Sequence, residues 1–434
     1  MRIIHTSDWH LGQHFYGKTR LNEHQQFLTW LVDLVQQEQV DAVIVAGDIF
    51  DTGAPPSYAR ELFNRCVIAL KQVGCQLVLL GGNHDSVAML TESRQILTFI
   101  DTALIPAATH DYQSHIIELT DKNDAVSAIV GAIPFIRARD VVTSSAGQTG
   151  DQKKQQLQQA ISDYYANIYQ CAQQRQQALR EQGTEVPIIL TGHLTTVNSQ
   201  TSESVRDLYI GTLDAFPADG FPPADYIALG HIHRAQKVGG TEHIRYSGSP
   251  IPLSFDELNK AKTVNLVEFD MGQLHQVTPI EVPLFQPMKV IKGEMAHIKE
   301  QLEVLARNAQ ADACSTQDSD QPTWLDIEVV ASDFISDIQT QLQQLTRELH
   351  VEVLLSRRAK VNREHGLNEN NKESLHELSV QEVFARRLQL ESDYLSEKEQ
   401  DPDPQLDKYM RVKNMFTEIT QSIELANKNS NDAS

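Results

Sequence analysis

The sequence predicts an α/β protein in which sheets pack between layers of helix. Three observations carry this. Short apolar runs of strand character alternate with helical patterns through the first half of the 434 residues, the signature of successive β and α units. Between Ile244 and Val282 the pattern turns to strands and hairpins. Five apolar runs end in polar clusters built from Asp, Asn and His, as strands do when they deliver side chains to one edge of a sheet.

The elements follow in order. RIIHT, at residue 2, is a first strand, and Phe27, Leu28, Leu31, Leu34 and Val35 mark a helix over Leu21–Gln37 by their spacing. DAVIVAGD is a second strand. Pro55-Pro56-Ser57 opens a helix through Val73 with Ser57 as its expected N-cap. CQLVLLGG is a third strand, followed by a helix over Met89–Ile100. AIVGAIPF, a long polar helix over Gln152–Glu181, VPIILTGH and DYIALGHIH continue the series, and a turn is expected at Asp270–Gly272. From residue 286 a small βαβαβ module is predicted: MKVIKG, a helix over Met295–Asn308, TWLDIEVV, a helix over Ile335–Leu349 and VEVLLS, interrupted by a polar loop at 309–321. The resulting division is 1–285, 286–360, a linker at 361–378, two amphipathic helices within 379–427 and a disordered tail at 428–434.

Composition narrows the function. No apolar run approaches transmembrane length, and MRIIHTSDWH lacks the apolar core of a signal peptide. Cys66, Cys75, Cys171 and Cys314 fit neither a zinc site nor a disulfide framework, so a reducing, cytoplasmic setting is expected. The formal charge of −21, from 37 basic and 58 acidic residues, excludes nucleic-acid binding through the overall field. It leaves room for a local basic groove, for metal ions that neutralise phosphates, or for a partner with a positive surface.

The chemistry lies in the strand ends: Asp8-Trp9-His10, Gly47-Asp48, Asn83-His84-Asp85, Gly192-His193 and Gly230-His231-Ile232-His233. GGNHD alone reads as a turn, and a lone histidine at a strand end is usually structural. Five such clusters are hard to explain as separate turns. Carboxylate, amide and imidazole without thiolate suit Mn²⁺, Fe²⁺ or Zn²⁺. The ligands exceed what one ion needs, so two are expected, about 3.5–4 Å apart, with a carboxylate between them to offset their repulsion.

DWH, GDIFD, GGNHD, GH and GHIH, in this order from Asp8 to His233, resemble the signature of the calcineurin-like metallophosphoesterases. The longer stretches HTSDWHLGQ, AGDIFDTGAPPSYAR, YIALGHIHRAQ, YSGSPIPLSFDE and LSVQEVFARRL resemble DNA nuclease subunits of that family, over nearly the whole chain. The resemblance implies a four-layer α/β/β/α metallophosphoesterase sandwich with a smaller α/β capping domain that binds DNA, and C-terminal helices. It assigns Asp8, His10 and His233 to one ion, Asn83, His193 and His231 to a second, and Asp48 to both. His84 is expected to donate a proton to the leaving oxygen or to stabilise the transition state. Asp85 either orients His84 or serves only the turn; Asp51 and His5 are candidate supporting residues. The implied activity is Mn²⁺-dependent endo- and exonucleolytic hydrolysis of DNA ends and hairpins, with Mg²⁺, Fe²⁺ or Zn²⁺ as other candidate ions. The implied setting is repair, replication and recombination. The implied partners are DNA, an ATPase in a two-plus-two assembly, and a second copy of this chain, met through helices such as Ser57–Val73 and Met89–Ile100.

The remaining signals are weaker. GQHFYGKT, from Gly12 to Thr19, fits the pattern GxxxxGK[ST], but Asp8 and His10 separate it from its strand and Gln13–Tyr16 is bulky, so an ordinary loop, with His14 and its aromatic neighbours near DNA as the other reading, is preferred to a phosphate loop. Val380, Val383, Phe384 and Leu388, and Tyr409, Val412, Phe416, Ile419 and Ile423, form apolar stripes read as docking onto the ATPase's coiled coil. Arg137, Arg139, Arg357, Arg358, Lys360 and Arg363 are the clustered basic groups. Two other functions compete: a phosphoesterase of the same fold acting on a small ester, which needs neither the second domain nor the terminal helices, and a scaffold with a vestigial metal site, against which the complete ligand set speaks.

Overall fold

The structure is a computed structural model that describes residues 1–142, 149–197, 199–202, 204–205, 215–312, 321–330 and 335–358. The chain divides into Met1–Ala359 and Lys360–Ser434. The linker, the two terminal helices, the tail, Cys314, Lys360 and Arg363 lie outside the described residues.

In chain order the first unit runs β1 (Arg2–Thr6), a hairpin of β2 (His14–Phe15) and β3 (Lys18–Thr19), α1 (Leu21–Gln37), β4 (Ala42–Val45), α2 (Ser57–Gln72), β5 (Gln76–Leu80), α3 (Val87–Phe99) and β6 (Thr102–Ile105). Then come β7 (Ile116–Thr120), β8 (Val126–Gly131), α4 (Ala138–Val141), α5 (Gly150–Glu181), β9 (Ile188–His193), β10 (Tyr226–Gly230), β11 (Gln236–Lys237), β12 (Ile244–Tyr246), β13 (Thr263–Asp270) and β14 (Gln273–Glu281). The module that follows is β15 (Met288–Gly293), α6 (Met295–Asp312), β16 (Thr323–Val329), α7 (Ile335–Thr346) and β17 (Val351–Arg358).

Two six-stranded sheets result, ordered β14-β13-β1-β4-β5-β6 and β11-β12-β10-β9-β8-β7. Three apolar clusters show how they stack. One joins the first sheet to α1, α2 and α3 through residues such as Val43, Leu79, Phe27, Leu31, Phe63 and Leu90. A second joins the other sheet to α5 through Leu190, Leu229, Ile161 and Ile168. The third lies between the sheets, where Ile44, Val78 and Leu80 of one meet Val130, Ile189 and Ala228 of the other. The layers are therefore α/β/β/α. Strands buried on both faces need near-continuous apolar sequence, which is what AVIV and QLVLL supply.

The helix ends show where local signals were read correctly and where not. Ser86 caps α3 by accepting from the Met89 N–H, and Thr149 with Gln152 forms a capping box on α5. Ser57 is not the cap of α2. Pro56 takes that position in extended backbone, and Ser57 is the first helical residue, without a capping hydrogen bond. A proline fixed at φ −62° already sets the entry angle, so the helix begins without a side-chain acceptor. Met271 and Gly272, both at positive φ, make the tight turn between β13 and β14.

Gly12–Thr19 folds as the β2–β3 hairpin and leads into α1. Phe15 of that hairpin is buried against Phe255, Met288 and Trp324, stacked on Trp324 at 5.6 Å between ring centroids. The guanidinium of buried Arg20 lies over its ring. The module's parallel β15-β16-β17 sheet packs on α6 and α7 through Ile291, Ile298, Leu325, Ile327 and Leu342, and Trp324 ties it to the hairpin. Trp324→Ala removes the largest side chain of this junction and is expected to cost about 3 kcal/mol or more. Urea unfolding at an unchanged midpoint would contradict that assignment.

Candidate metal centre

The strands of the two sheets end at one edge, and their terminal loops bring the polar clusters together. β1 leads to Asp8 and His10, β4 to Asp48, β5 to Asn83 and His84, β9 ends in His193, and β10 leads to His231 and His233. Asp8, His10 and His233 each offer a ligand atom within 4.8 Å of the others; the same holds for Asp48, His193 and His231, and for His10, Asp48 and His84. Asn83 joins the second group through its Oδ1, 2.9 Å from His193 Nε2. All seven expected ligands thus meet, with His84 beside them.

Asp48 is at the middle. Its Oδ1 accepts the His84 backbone N–H at 2.9 Å. Its Oδ2 lies 3.2 Å from His193 Nε2 and 3.6 Å from His10 Nε2, so one oxygen reaches both groups. Burial opposes ionisation of this carboxyl, but the His193 imidazole, and after it His10 and His84, hold it well below the usual carboxylate range. Asp8 accepts the His231 N–H on both oxygens, at 3.0 and 3.1 Å, and the Ser7 hydroxyl at 2.5 Å.

Three of the inward histidines are fixed from behind. His193 Nδ1 donates to the Ala46 carbonyl at 2.8 Å, His10 Nδ1 faces Asp51 Oδ1 at 3.1 Å, and His84 Nδ1 donates to the Asp51 carbonyl at 2.7 Å. A carbonyl can only accept, so the outer nitrogen of His193 and of His84 carries the proton and Nε2 is left for chemistry. The buried Nε2 atoms of His10 and His231 have no hydrogen-bond partner. Burial, then the charge of His193, keeps His231 neutral by lowering its pKa well below the usual value. Orphaned, inward-facing imidazole nitrogens beside two buried carboxylates are what a cation site requires.

The backbone is forced to reach this arrangement. Asp8, His10, Asp48 and His231 have φ of 54°, 45°, 50° and 90°, in the left-handed region that costs non-glycine residues about 1–3 kcal/mol each. Close approach adds its own demand. A Cβ on Gly82 would collide with the Asp48 carboxylate and backbone nitrogen, so the second glycine of GGNHD is needed for space.

Two expected supporting residues take other roles. Asp85 does not orient His84. Its carboxylate accepts the backbone N–H groups of Gly82, Ile49 and Phe50 at 2.8, 3.1 and 3.0 Å, pinning the loop after β5 to the loop after β4. The turn-building role wins because three backbone N–H groups engage this carboxylate, while His84 Nδ1, which would have needed an acceptor, finds it in the Asp51 carbonyl. His5 bridges the sheets, between the Tyr226 hydroxyl at 2.9 Å and the Leu229 carbonyl at 3.2 Å. Asp51 is the partner of both His10 and His84. Glu257, Ser204 and Lys262 were missed: Glu257 Oε1 lies 3.3 Å from His233 Nδ1, and the only sequence signal was an acidic residue in SFDEL followed five positions on by a lysine.

A family model described as calcineurin-like phosphoesterase matches residues 1–235, more than half of the chain. The chain belongs to the calcineurin-like phosphoesterases. A second model, described as the Type 5 capsule protein repressor C-terminal domain, matches residues 284–392 of this phosphoesterase. The chain is 54% identical over 392 residues to the D subunit of the nuclease SbcCD of Escherichia coli (strain K12), covering 90% of this chain and 93% of that protein. Proteins of the same name from Rhodobacter capsulatus and Bacillus subtilis are 32% and 31% identical, covering 67% and 77% of this chain and 71% and 81% of theirs. It therefore also belongs with the D subunits of SbcCD.

This phosphoesterase family implies divalent metal ions, and the donor set fits them. Without a cation, protons occupy the place. Burial lowers the His193 pKa, but the charge and hydrogen bond of Asp48, followed by Asp8, raise it to about 9; His10 is raised as well, by Asp51, Asp48 and Asp8 against its burial. A group raised above its unfolded value keeps its proton below that pKa, so a cation entering at pH 7 must displace it. Metal affinity is expected to rise between pH 7 and 9, by up to about tenfold per pH unit for each proton released, and to level off above. Calorimetric titration across that range, in buffers of different ionisation enthalpy, tests this; an affinity independent of pH would contradict it.

Proposed function

We propose that this chain is the nuclease subunit of an SbcCD-type complex, hydrolysing phosphodiester bonds at DNA ends and hairpins with two divalent cations, Mn²⁺ first among them. The observation that carries the reading is the convergence of four imidazoles, two carboxylates and an amide oxygen on one buried point, with Asp48 Oδ2 between the two groups. The name of the relatives, a nuclease, supports the choice of DNA over a small ester. In this reading Asp8, His10 and His233 hold one cation, Asn83, His193 and His231 the other, and Asp48 both. When bound, the cations neutralise charge on the phosphoryl oxygens and lower the pKa of attacking water.

The chain's own residues do the rest. The outer contacts of His10, His193 and His233 hold their rings in place before substrate arrives, so little reorganisation accompanies the reaction. His84 is half-buried, 4.6 Å from His10 between ring centroids. With Nδ1–H engaged by the Asp51 carbonyl, Nε2 faces the substrate, and it is the imidazolium form, protonated on both nitrogens, whose Nε2–H gives a proton to the leaving oxygen or steadies the phosphoryl charge. Arg137, whose guanidinium lies over the Phe135 ring, itself in edge contact with His193, is the basic side chain of the FIRARD cluster that this reading offers to a DNA phosphate. His84→Ala is expected to keep both metal ions and lose about 10²-fold or more in cleavage. Hairpin DNA and an aryl phosphodiester, each assayed with Mn²⁺, test both points: full activity of the variant removes the role of His84, and cleavage of the small ester alone by the wild type removes DNA as substrate.

The proposal extends to assembly, in the cytoplasm, with the ATPase SbcC in a two-plus-two complex and with a second copy of this chain. Support for the second copy lies on α2 and α3, where Ile68, Ile96 and Phe99 are 52%, 72% and 91% exposed, an unusual cost in water for side chains of this size. Replacing Ile96 and Phe99 together by Glu is expected to yield monomers in sedimentation while leaving metal binding intact. A dimer that survives this change would exclude that surface.

A further inference from the structure

We propose that Glu257 is the positioning residue that fixes His233 for its cation, an inference that rests on the two-cation reading above. Glu257 is 2% exposed and sits on a short turn, Phe255–Asn259. Its Oε1 lies 3.3 Å from His233 Nδ1 and accepts from the hydroxyls of Ser204 at 2.5 Å and Ser202 at 2.7 Å. Its Oε2 accepts from the Leu253 N–H at 2.9 Å and the Lys262 ammonium at 2.5 Å. Donors therefore meet both oxygens and hold the carboxylate in this orientation.

The hydrogen-bond arithmetic then decides the tautomer. Ser204 Oγ is 2.6 Å from His233 Nδ1. A serine has one O–H, and here it goes to Glu257, so towards the ring this oxygen can only accept. Glu257 can only accept as well. His233 Nδ1 must therefore carry the proton, which leaves the Nε2 lone pair on the side of Asp8 and His10. Lys262 completes the brace: its ammonium also reaches the His233 carbonyl at 3.0 Å and the Ser249 hydroxyl at 2.7 Å, fixing the backbone of the ligand as well as its anchor. Two residues before Glu257, Phe255 is buried in the cluster with Phe15, Met288 and Trp324, so the start of the turn that carries the carboxylate is itself anchored.

Asp51 serves His10 in the same manner, but it lies within the GDIFD stretch, whereas Glu257 reaches the site from beyond the last ligand. The decisive variants separate positioning from folding. Glu257→Gln alone leaves the Lys262 ammonium buried without its charge partner, so the Glu257→Gln, Lys262→Met pair, which removes both charges, is measured beside it. Ser204→Ala leaves the ion pair whole and removes only the hydroxyl.

Mn²⁺ titration of the metal-free full-length protein, followed by calorimetry and by the electron paramagnetic resonance of free Mn²⁺, is the test. The wild type takes up two ions. The double variant keeps wild-type circular dichroism, loses about 10–100-fold in affinity for one ion and retains the other; Ser204→Ala weakens the same ion by a smaller factor. In cleavage of hairpin DNA the Mn²⁺ concentration for half-maximal rate rises by the same factor, while the rate at saturating Mn²⁺ recovers. Nitrogen-15 spectra of the labelled histidines in the metal-free protein show the Nδ1–H form of His233 in the wild type and its loss in the variant. Two ions bound with unchanged affinity by the folded double variant and by Ser204→Ala would overturn the role of Glu257 alone. A wild-type protein that binds fewer than two ions would overturn the two-cation reading, and this inference with it.

Discussion

The constraint on which the rest depends is a carboxylate, Asp48, 1% exposed and flanked by the imidazoles of His10 and His193. A buried carboxylate is costly unless it is compensated. In the metal-free protein protons on the neighbouring rings compensate it, and a divalent cation can take over that role at the same place. The surrounding structure follows from the need to hold these charges close without water. Two sheets bury their inner faces against each other through small and branched apolar side chains, and only their strand ends open to the polar centre.

The loops at those ends are not passive connectors. The Asp85 carboxylate ties the loop after β5 to the one after β4, and Asp8 ties the start of the chain to His231. Four residues of the centre are held at positive φ. Strain of that kind persists only where the surroundings over-determine it, and here hydrogen bonds to backbone N–H groups from distant segments do so.

Electrostatics reconcile a chain of net charge −21 with a polyanionic substrate. Long-range steering by the whole protein is unfavourable. Short-range binding does not need it, because divalent cations of the kind the family implies would act at contact distance, whereas salt screens distant surface carboxylates within about 8–10 Å. Among the basic groups expected to help, Arg357 is already engaged by Asp326 at 2.6 Å, and the Arg137 guanidinium lies over the Phe135 ring.

Much of this was legible in the sequence. Apolar periodicity marked α1 through Phe27, Leu28, Leu31, Leu34 and Val35, because a helix buried on one face must repeat at 3.6. The five polar strand ends named the Asp, Asn and His side chains that meet there, because strand order in an α/β fold sends successive carboxyl ends to one edge. What the sequence could not determine is which atoms pair once those ends meet. Asp85 neighbours His84 in sequence yet serves the backbone of Ile49 and Phe50, and His5 lies three residues from a ligand yet spans the sheets. Glu257 stands behind His233 across a loop that no local pattern connects to it. Periodicity and turn chemistry act over a few residues, whereas the partner of a buried donor is chosen by three-dimensional proximity. Which polar side chains gather at the strand ends is thus a property of the sequence, and their orientation is a property of the fold.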